Sequence, residues 1–413
     1  MVGVDAAKTA EEVPPIDPAV APPLIRGLAA LMHLGFAGGD AALLWRAIER
    51  PTPALADAAA YALDAASLHE MQFRPDAALA LRAQALAATP LFRMADAFRT
   101  QSASPLRVLA VLAPGDFMAN TPLDFLTMHL DVRLDLLFLG AAGYLPAALP
   151  EHDVAFFAAG DGDPAVLRRL AGLHARWPRP TVNDPARVLR LGREALATAM
   201  RRRPDLLCPP IRRLSREAAL AQPHGFPVLV RPVDSHAGRH LARADDRCSL
   251  AAHLATMPTG DVFVSDFVDY RDADGLYRKY RIACIAGRPM LCHMAVSSHW
   301  MVHYLNAGMA ESAAKRAEEA AAMAGFEGGF ARRHDAALAA IAEWAALDYF
   351  QIDCAELPDG RLLLFEADVA GIVHMMDPPD LYPYKPPQMR RVIAAFDALL
   401  RAAAGGGAMR RAA

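Results

Sequence analysis

Between Pro22 and about Phe98, apolar residues recur every three or four positions. The segments PPLIRGLAALMHLGF, DAALLWRAIER, ALADAAAYALDAASLHEMQ and PDAALALRAQALAA each carry this period. It predicts amphipathic helices, with Gly, Pro or Asp ending and capping them. A helical region over 22–100 follows, and its two helical pairs resemble a tetratricopeptide-like fragment. After RTQSASP (100–105) the period changes. LRVLAVLAPGDF is a continuous apolar run entering a glycine loop, as in a buried parallel strand. NTPLDFLTMHL reads as loop then helix, VRLDLLFLG as a strand, HDVAFFAAGDGDPAVLRRLAGLHARW as strand, loop and helix, and RPTVND as a short strand. This alternation predicts a doubly wound parallel sheet over 105–185. Ligands of such sheets bind at the carboxyl ends of strands. That rule singles out Asp116, Asn120 and Thr121 at one strand end and Asp161 and Asp163 at another.

The pattern changes again after Asn183. A helix is expected over 186–202, then a strand–loop–strand in FPVLVRPVDSHAGRHLARADD and a strand in DVFVSDFVDY. YRKYRIACIAGRPMLCHMAV reads as a hairpin through Ala286-Gly287. Helices are expected over 310–324, 334–346 and 387–403. The Pro- and acid-rich residues 1–21 and the GGGAMRRAA tail (404–413) read as mobile ends.

With 413 residues and 54% hydrophobic content the chain is globular and long enough for two or three domains. A formal charge of −3 gives no reason to expect nucleic acid or a membrane surface as partner. The five cysteines are scattered without a C-x-x-C, which argues against a disulfide framework and for a reducing cytoplasm. No apolar signal segment and no membrane-length run are present. Only four of the 43 basic residues are lysine, namely Lys8, Lys279, Lys315 and Lys385.

The stretch YFQIDCAELPDGRLLLFEADVAG (349–371) is nearly all apolar yet carries Asp353, Glu366 and Asp368. Asp359-Gly360 is a hairpin signal. A loop centred there places Asp353 directly across from Glu366, with Asp368 on the same face. Opposed carboxylates repel and burial raises the cost. A divalent cation resolves both, and hard oxygen donors suit Mg²⁺; the alternative is neutralisation by Arg or Lys.

This hairpin resembles the metal-binding end of ATP-grasp ligases, and further segments follow in the family's order. TVNDPARVLRLGRE and CPPIRRLS resemble the approach to the grasp. FPVLVRPVDSHAGRH resembles the strand and phosphate-covering loop, VFVSDFVDY the adenine hinge, and KYRIACIAGRPM the following strand, with Asn306 and Gly308 after it. The resemblance covers about 105–403 and is nearest to ribosomal-protein glutamate ligases and glutathione synthetases. It implies an α/β fold with a parallel-sheet pre-ATP-grasp domain (105–185) and a two-lobed ATP-grasp domain of α+β type (186–403), whose lid lobe spans about 205–265. It implies ATP and Mg²⁺ as cofactors, the metal being held by Asp353, Glu366 and Asp368. Arg193 and Arg231 would stand at the family's two nucleotide lysines, and Ser235, His236, Ala237 and Gly238 would cover the phosphates. Ser265, Asp266, Phe267 and Val268 would bind adenine. Arg281 would stabilise the acyl phosphate and the tetrahedral intermediate, Arg281 and Arg231 being the implied catalytic residues, and Asn306 would approach metal or phosphates. Lys279 stands where an acid often meets the ribose, leaving Asp272 or Asp274, or a phosphate role for Lys279, open; Asp368 replaces the usual Asn.

The implied activity is a carboxylate–amine ligase acting through an acyl phosphate on small amino-acid or peptide substrates, with a carrier peptide or protein as a further option and homodimerisation open. An ATP-grasp phosphotransferase and a non-catalytic nucleotide-binding scaffold are the alternatives. Asp116, Asn120, His299 and His374 are candidate substrate contacts. His299 and His303 lie four residues apart, but nothing completes a zinc set around them.

Overall fold

The computed structural model describes residues 11–49, 55–95, 104–233, 235 and 238–406. The chain divides into two compact units. One runs to Leu189 and takes up the chain again at Asp397; the other is Arg190–Phe396.

The first unit is built on a six-stranded sheet. Its strands are β1 (Leu24–Ile25), β2 (Leu91–Met94), β3 (Leu106–Leu112), β4 (Val132–Phe138), β5 (Val154–Phe157) and β6 (Thr181–Val182), in the order β1-β2-β4-β3-β5-β6. β3 pairs in parallel with both β4 and β5, and β5 with β6. The chain leaves β3 for one side and returns on the other, so a topological switch point lies at the carboxyl end of β3. The runs predicted as buried strands are buried: Val108, Leu109, Ala110 and Val111 are each at most 1% exposed.

Four helices, Leu28–Phe36, Ala41–Ile48, Leu55–Met71 and Pro75–Ala88, fill the predicted helical region. They do not form a body of their own. β1 and β2 flank them and extend the sheet, β2 running antiparallel to β4. Buried Asp64 accepts the Arg26 and Gly27 amides and fixes the turn into the first helix. The described part of the N-terminal segment expected to be mobile is also attached: Ile16 bridges Leu149 and Glu11 pairs with Arg169. His236, Ala237 and the tail from 407 lie outside the described residues.

The second unit holds two sheets. Strand β7 (Leu206–Leu207) precedes β8 (Ile211–Leu214), β9 (Val228–Pro232), β10 (Ala242–Ala244) and β11 (Val262–Asp266). β8 to β11 form an antiparallel sheet in the order β10-β9-β11-β8, with Val228, Val230, Ala244, Leu250, Val262 and Val264 in its core. These four strands fall in or at the end of the 205–265 segment expected as a lid lobe, while β7 at its start belongs to the other sheet. That sheet adds β12 (Tyr277–Ile285), β13 (Arg288–Ser297), β14 (Tyr349–Glu356) and β15 (Leu362–Asp368), in the order β13-β12-β14-β15-β7. Ala286 and Gly287 turn β12 into β13, both at positive φ (50° and 79°), as a two-residue primed hairpin turn demands. The helix predicted over 186–202 is split into Pro185–Val188 and Arg193–Met200, and the last helix runs Lys385–Ala404. Among the described residues no helix is long and apolar enough to cross a membrane.

Candidate functional site: a charged row across one sheet face

Asp353 on β14 pairs with Glu366 on β15, as the sequence predicts. The route to that pairing differs. Leu357 N–H bonds to Arg361 C=O and Gly360 N–H to Leu357 C=O, so Pro358, Asp359 and Gly360 form a three-residue turn, with Gly360 at φ 85°. On the turn side of the hairpin Cys354 faces Leu364; Phe365 is then an extra residue in a bulge, and pairing resumes at Asp353 and Glu366. Bulges leave one residue unpaired and are common beside functional sites. Phe365 packs edge-on against Tyr270, with ring centroids 5.2 Å apart.

Pairing continues across the sheet. Arg281 on β12 faces Asp353, and His293 on β13 faces Arg281. Paired residues share a face, so His293, Arg281, Asp353 and Glu366 form one row. Arg281 grips Asp353 bidentately, Nε to Oδ1 at 2.8 Å and Nη2 to Oδ2 at 3.0 Å. Lys279, two residues along β12 on the same face, places Nζ 2.7 Å from Oδ2. Asp353 is only 3% exposed. Burial pushes its carboxyl up, but Arg281 and Lys279 outweigh burial and hold it well below the usual carboxylate range. Glu366 is also raised by burial, and Arg193, which bonds directly to its Oε2, brings it below its ordinary value. Asp368 accepts the Ala370 amide at 2.8 Å.

Both nucleotide arginines expected from sequence lie in this neighbourhood, in different circumstances. Arg193 is ion-paired with Glu366. Arg231, on β9 and 9% exposed, donates to the hydroxyl and carbonyl of Ser235. Among the described residues no carboxylate lies within ion-pair distance of it. Burial and the like charge of Arg193 push the Arg231 guanidinium down to about 10, against a smaller opposing pull from Glu366. A buried cation that has only neutral partners among the described residues is costly.

The residues do not, as arranged, fit a bound divalent cation. Among the described residues no three Asp, Glu, His or Cys side chains converge in a metal cage. Asp353, expected as a metal ligand, has both oxygens engaged by Arg281 and Lys279. Arg281, expected at an acyl phosphate, and Lys279, expected at ribose or phosphate, are therefore engaged with that carboxylate. The cations that sequence reasoning offered as the alternative to metal are the ones present.

The other expected residues have the following surroundings. Phe267 lies under the Arg243 guanidinium, 4.4 Å from ring centroid, and edge-on to Trp300 at 5.7 Å. Sequence reasoning missed Arg243 and Trp300, which are distant in the chain. The Phe267 amide bonds to Pro227 C=O; Ser265 and Asp266 end β11, paired with Leu229 and Val228, and Val268 follows. Gly238, at φ 72°, comes close to Met301. Asn306 accepts the His303 amide and closes a turn. His299 is exposed, its amide bonded to Ser297 Oγ. His374 accepts the Met376 amide, and burial lowers its pKa. Asp116 and Asn120 belong to the first unit. Both polar atoms of Asn120 are bonded to Ala113, at 2.7 and 2.9 Å, so it braces the loop. Asp116 caps the Met118 amide and borders a cavity of about 110 Å³, room for a few waters.

A second cluster lies beyond His293. Its ring meets Tyr304 edge-on at 4.8 Å. Tyr304 and Tyr384 donate to Glu319, which is fully buried, and Lys385 bonds to Tyr304 and lies 3.4 Å from Glu319. Lys315 donates to Ala307 C=O. All three described lysines of this arginine-rich chain thus hold either the carboxylate row or the loop after β13.

Neither a protein-family model nor a curated protein matches the sequence. Solved structures do. The chain is similar to a RimK domain ATP-grasp protein from Sphaerobacter thermophilus (19% identity, TM-score 0.38, 71% of this chain and 99% of that one). It is similar to the VanG D-Ala:D-Ser ligase from Enterococcus faecalis (12%, 0.44, 72% and 100%). A D-alanine–D-alanine ligase from Coxiella burnetii is a third (10%, 0.45, 73% and 96%). Some seven tenths of the chain therefore resembles proteins named as ATP-grasp or D-amino-acid ligases.

Proposed function

We propose that the second unit binds ATP and joins a carboxylate to an amine, with an amino acid or peptide as each substrate. The observation that carries the reading is Arg231: a buried guanidinium with no carboxylate partner among the described residues, beside Arg193 and Glu366. A phosphate group satisfies that position, since guanidinium binds phosphate bidentately. Arg231 and Arg193 would hold the transferring phosphate and spread its developing charge, which is most of what phosphoryl transfer asks of a protein. A substrate carboxylate oxygen attacks the γ-phosphorus; the bond to the β-bridging oxygen breaks and ADP leaves. The amine then attacks the acyl carbon, the carbon–oxygen bond to phosphate breaks, and amide, phosphate and one proton result. The antiparallel lobe carrying Arg231 and Ser235 would shield the acyl phosphate from water.

ATP consumption screened against pairs of amino acids and peptides tests this, with Glu366→Gln as control. A ligase forms ADP only when acid and amine are both present, and Glu366→Gln abolishes turnover while the circular dichroism spectrum stays unchanged. ADP formation with a hydroxyl compound and no amine identifies a phosphotransferase instead. Near-normal turnover by Glu366→Gln removes the carboxylate row from the site.

A further inference from the structure

We propose that the cavity bordered by Asp116 in the first unit is a binding site for a small aliphatic ammonium compound. Asp124 and Thr121 hold its charged end, and the apolar wall holds its hydrocarbon end. The site goes beyond the nucleotide reading above and does not depend on it.

The wall comes from two parts of the chain. Ile25, Leu63 and Met94 belong to the N-terminal region, and Leu112, Phe125 and Leu136 to the strands and loop that follow. The first three precede the 105–403 segment that resembles ATP-grasp ligases, so the resemblance implies no such site. The volume is about 110 Å³. An apolar cavity of about 150 Å³ takes up benzene, so this one suits a molecule of about five heavy atoms.

Two polar groups on the wall lack what burial demands. Thr121 is 1% exposed, and its hydroxyl has no hydrogen-bond partner among the described residues. Its backbone is satisfied through Ala158 and Leu123. Asp124, half-buried, accepts the Ala29 amide on one oxygen at 2.9 Å and the Phe125 amide on the other at 3.1 Å. Each oxygen keeps a further lone pair, and among the described residues no cation lies within ion-pair distance. Burial pushes the Asp124 carboxyl up, an effect that a neighbouring cation reverses. Glu70, by contrast, is matched, since Arg82 grips both its oxygens at 2.9 Å. Glu70, Asp116 and Asp124 face one cation, Arg82, so the lining has a surplus of two negative charges.

These demands select the ligand. Water satisfies the two polar groups but gains nothing from a wall of leucine, isoleucine, methionine and phenylalanine, which wets poorly. An anion is repelled by the surplus charge. A neutral alcohol bonds to Thr121 and leaves Asp124 without a counter-ion. An alkylammonium ion offers three N–H donors for Asp124 and Thr121, and burial of its hydrocarbon part is favourable. An apolar lining with a few convergent polar groups is the usual form of a small-molecule site.

Methyl-carbon NMR of the methionines in the full chain tests this, because Met94 lines the cavity and reports from within it. Met94→Leu assigns the signal. The probe is isobutylamine hydrochloride, with sodium chloride at equal ionic strength as the blank. Isobutanol and sodium isobutyrate are comparators of similar size. A ligand of about five heavy atoms binds no tighter than the micromolar range, so the titration runs to about 10 mM. Isobutylamine should shift the Met94 signal saturably and bind at least tenfold more tightly than isobutanol, and isobutyrate should leave the signal in place. Asp124→Asn should weaken isobutylamine at least tenfold and isobutanol less than threefold. Thr121→Val, which keeps the shape and removes the hydroxyl, should weaken isobutylamine at least threefold. The proposal is overturned if isobutylamine leaves the Met94 signal unmoved, in which case the cavity takes only water. It is equally overturned if isobutanol binds within twofold of the amine, or if Asp124→Asn binds the amine as well as wild type. Should Asp124→Asn fail to fold, Thr121→Val and the wild-type comparison of amine with alcohol decide.

Discussion

Replacing Arg281 by Met leaves the Asp353 carboxylate buried with Lys279 as its remaining cation. The pair is well shielded, its side chains being 23% and 3% exposed. Breaking a buried pair by removing one partner typically costs about 3–5 kcal/mol. Lys279 still reaches Oδ2 at 2.7 Å, so the loss should fall near or just below the lower end, about 2–3 kcal/mol. The sign with pH follows from the same contacts. The folded pKa of Asp353 is depressed, so its contribution is present above the unfolded value of about 3.9 and is lost as pH falls. Without Arg281 the folded pKa rises and acid unfolding begins at higher pH. Adding Asp353→Leu removes the stranded charge and should return stability to within about 1 kcal/mol of wild type. Urea unfolding followed by tryptophan fluorescence measures all three proteins; Trp300 and Trp344 report from the second unit. A single-variant loss below about 0.5 kcal/mol, or a double variant as unstable as the single, would refute the claim that this ion pair organises the row.

Two other outcomes follow from local geometry. A methyl group at Gly371 would stand 2.5 Å from Gln351 Oε1, and the Gln351 amide is held in place by Gly371 C=O and Tyr349; Gly371→Ala should lower stability by about 1–3 kcal/mol, and an unchanged melting temperature would show that Gln351 moves freely. His152, His293 and His334 have pKa values lowered chiefly by burial. Unfolding lets them take up protons, so stability should fall as pH drops below about 6.5; a melting temperature flat between pH 7.5 and 5.5 would contradict this.

Legibility in the sequence tracked the range of the interactions. The Asp-Gly turn signal and the two-residue period place Asp353 against Glu366, because both act within one hairpin. The three-residue turn and the Phe365 bulge were not legible, since each shifts the register by one and the shifts cancel at the acids. The short strands β1 and β2 were hidden inside a helical pattern; two to four residues give no usable period. The partners of the acids were the least readable. Arg193, Lys279 and Arg281 were picked out for a ligand. Long side chains, however, choose partners by three-dimensional reach, and 72 residues separate Arg281 from the carboxylate it holds. Arg243 and Trp300 left no local signal at all.

The scarcity of lysine has a practical corollary. Lys385 is 3% exposed, and Lys315 is partly buried, its ammonium bonded to a loop carbonyl. An acylating or reductively alkylating reagent therefore meets few competing amines on the described surface. Lys279 becomes a natural address for a reporter group, and occupancy of the neighbouring charged row could be followed by the protection of that one nitrogen.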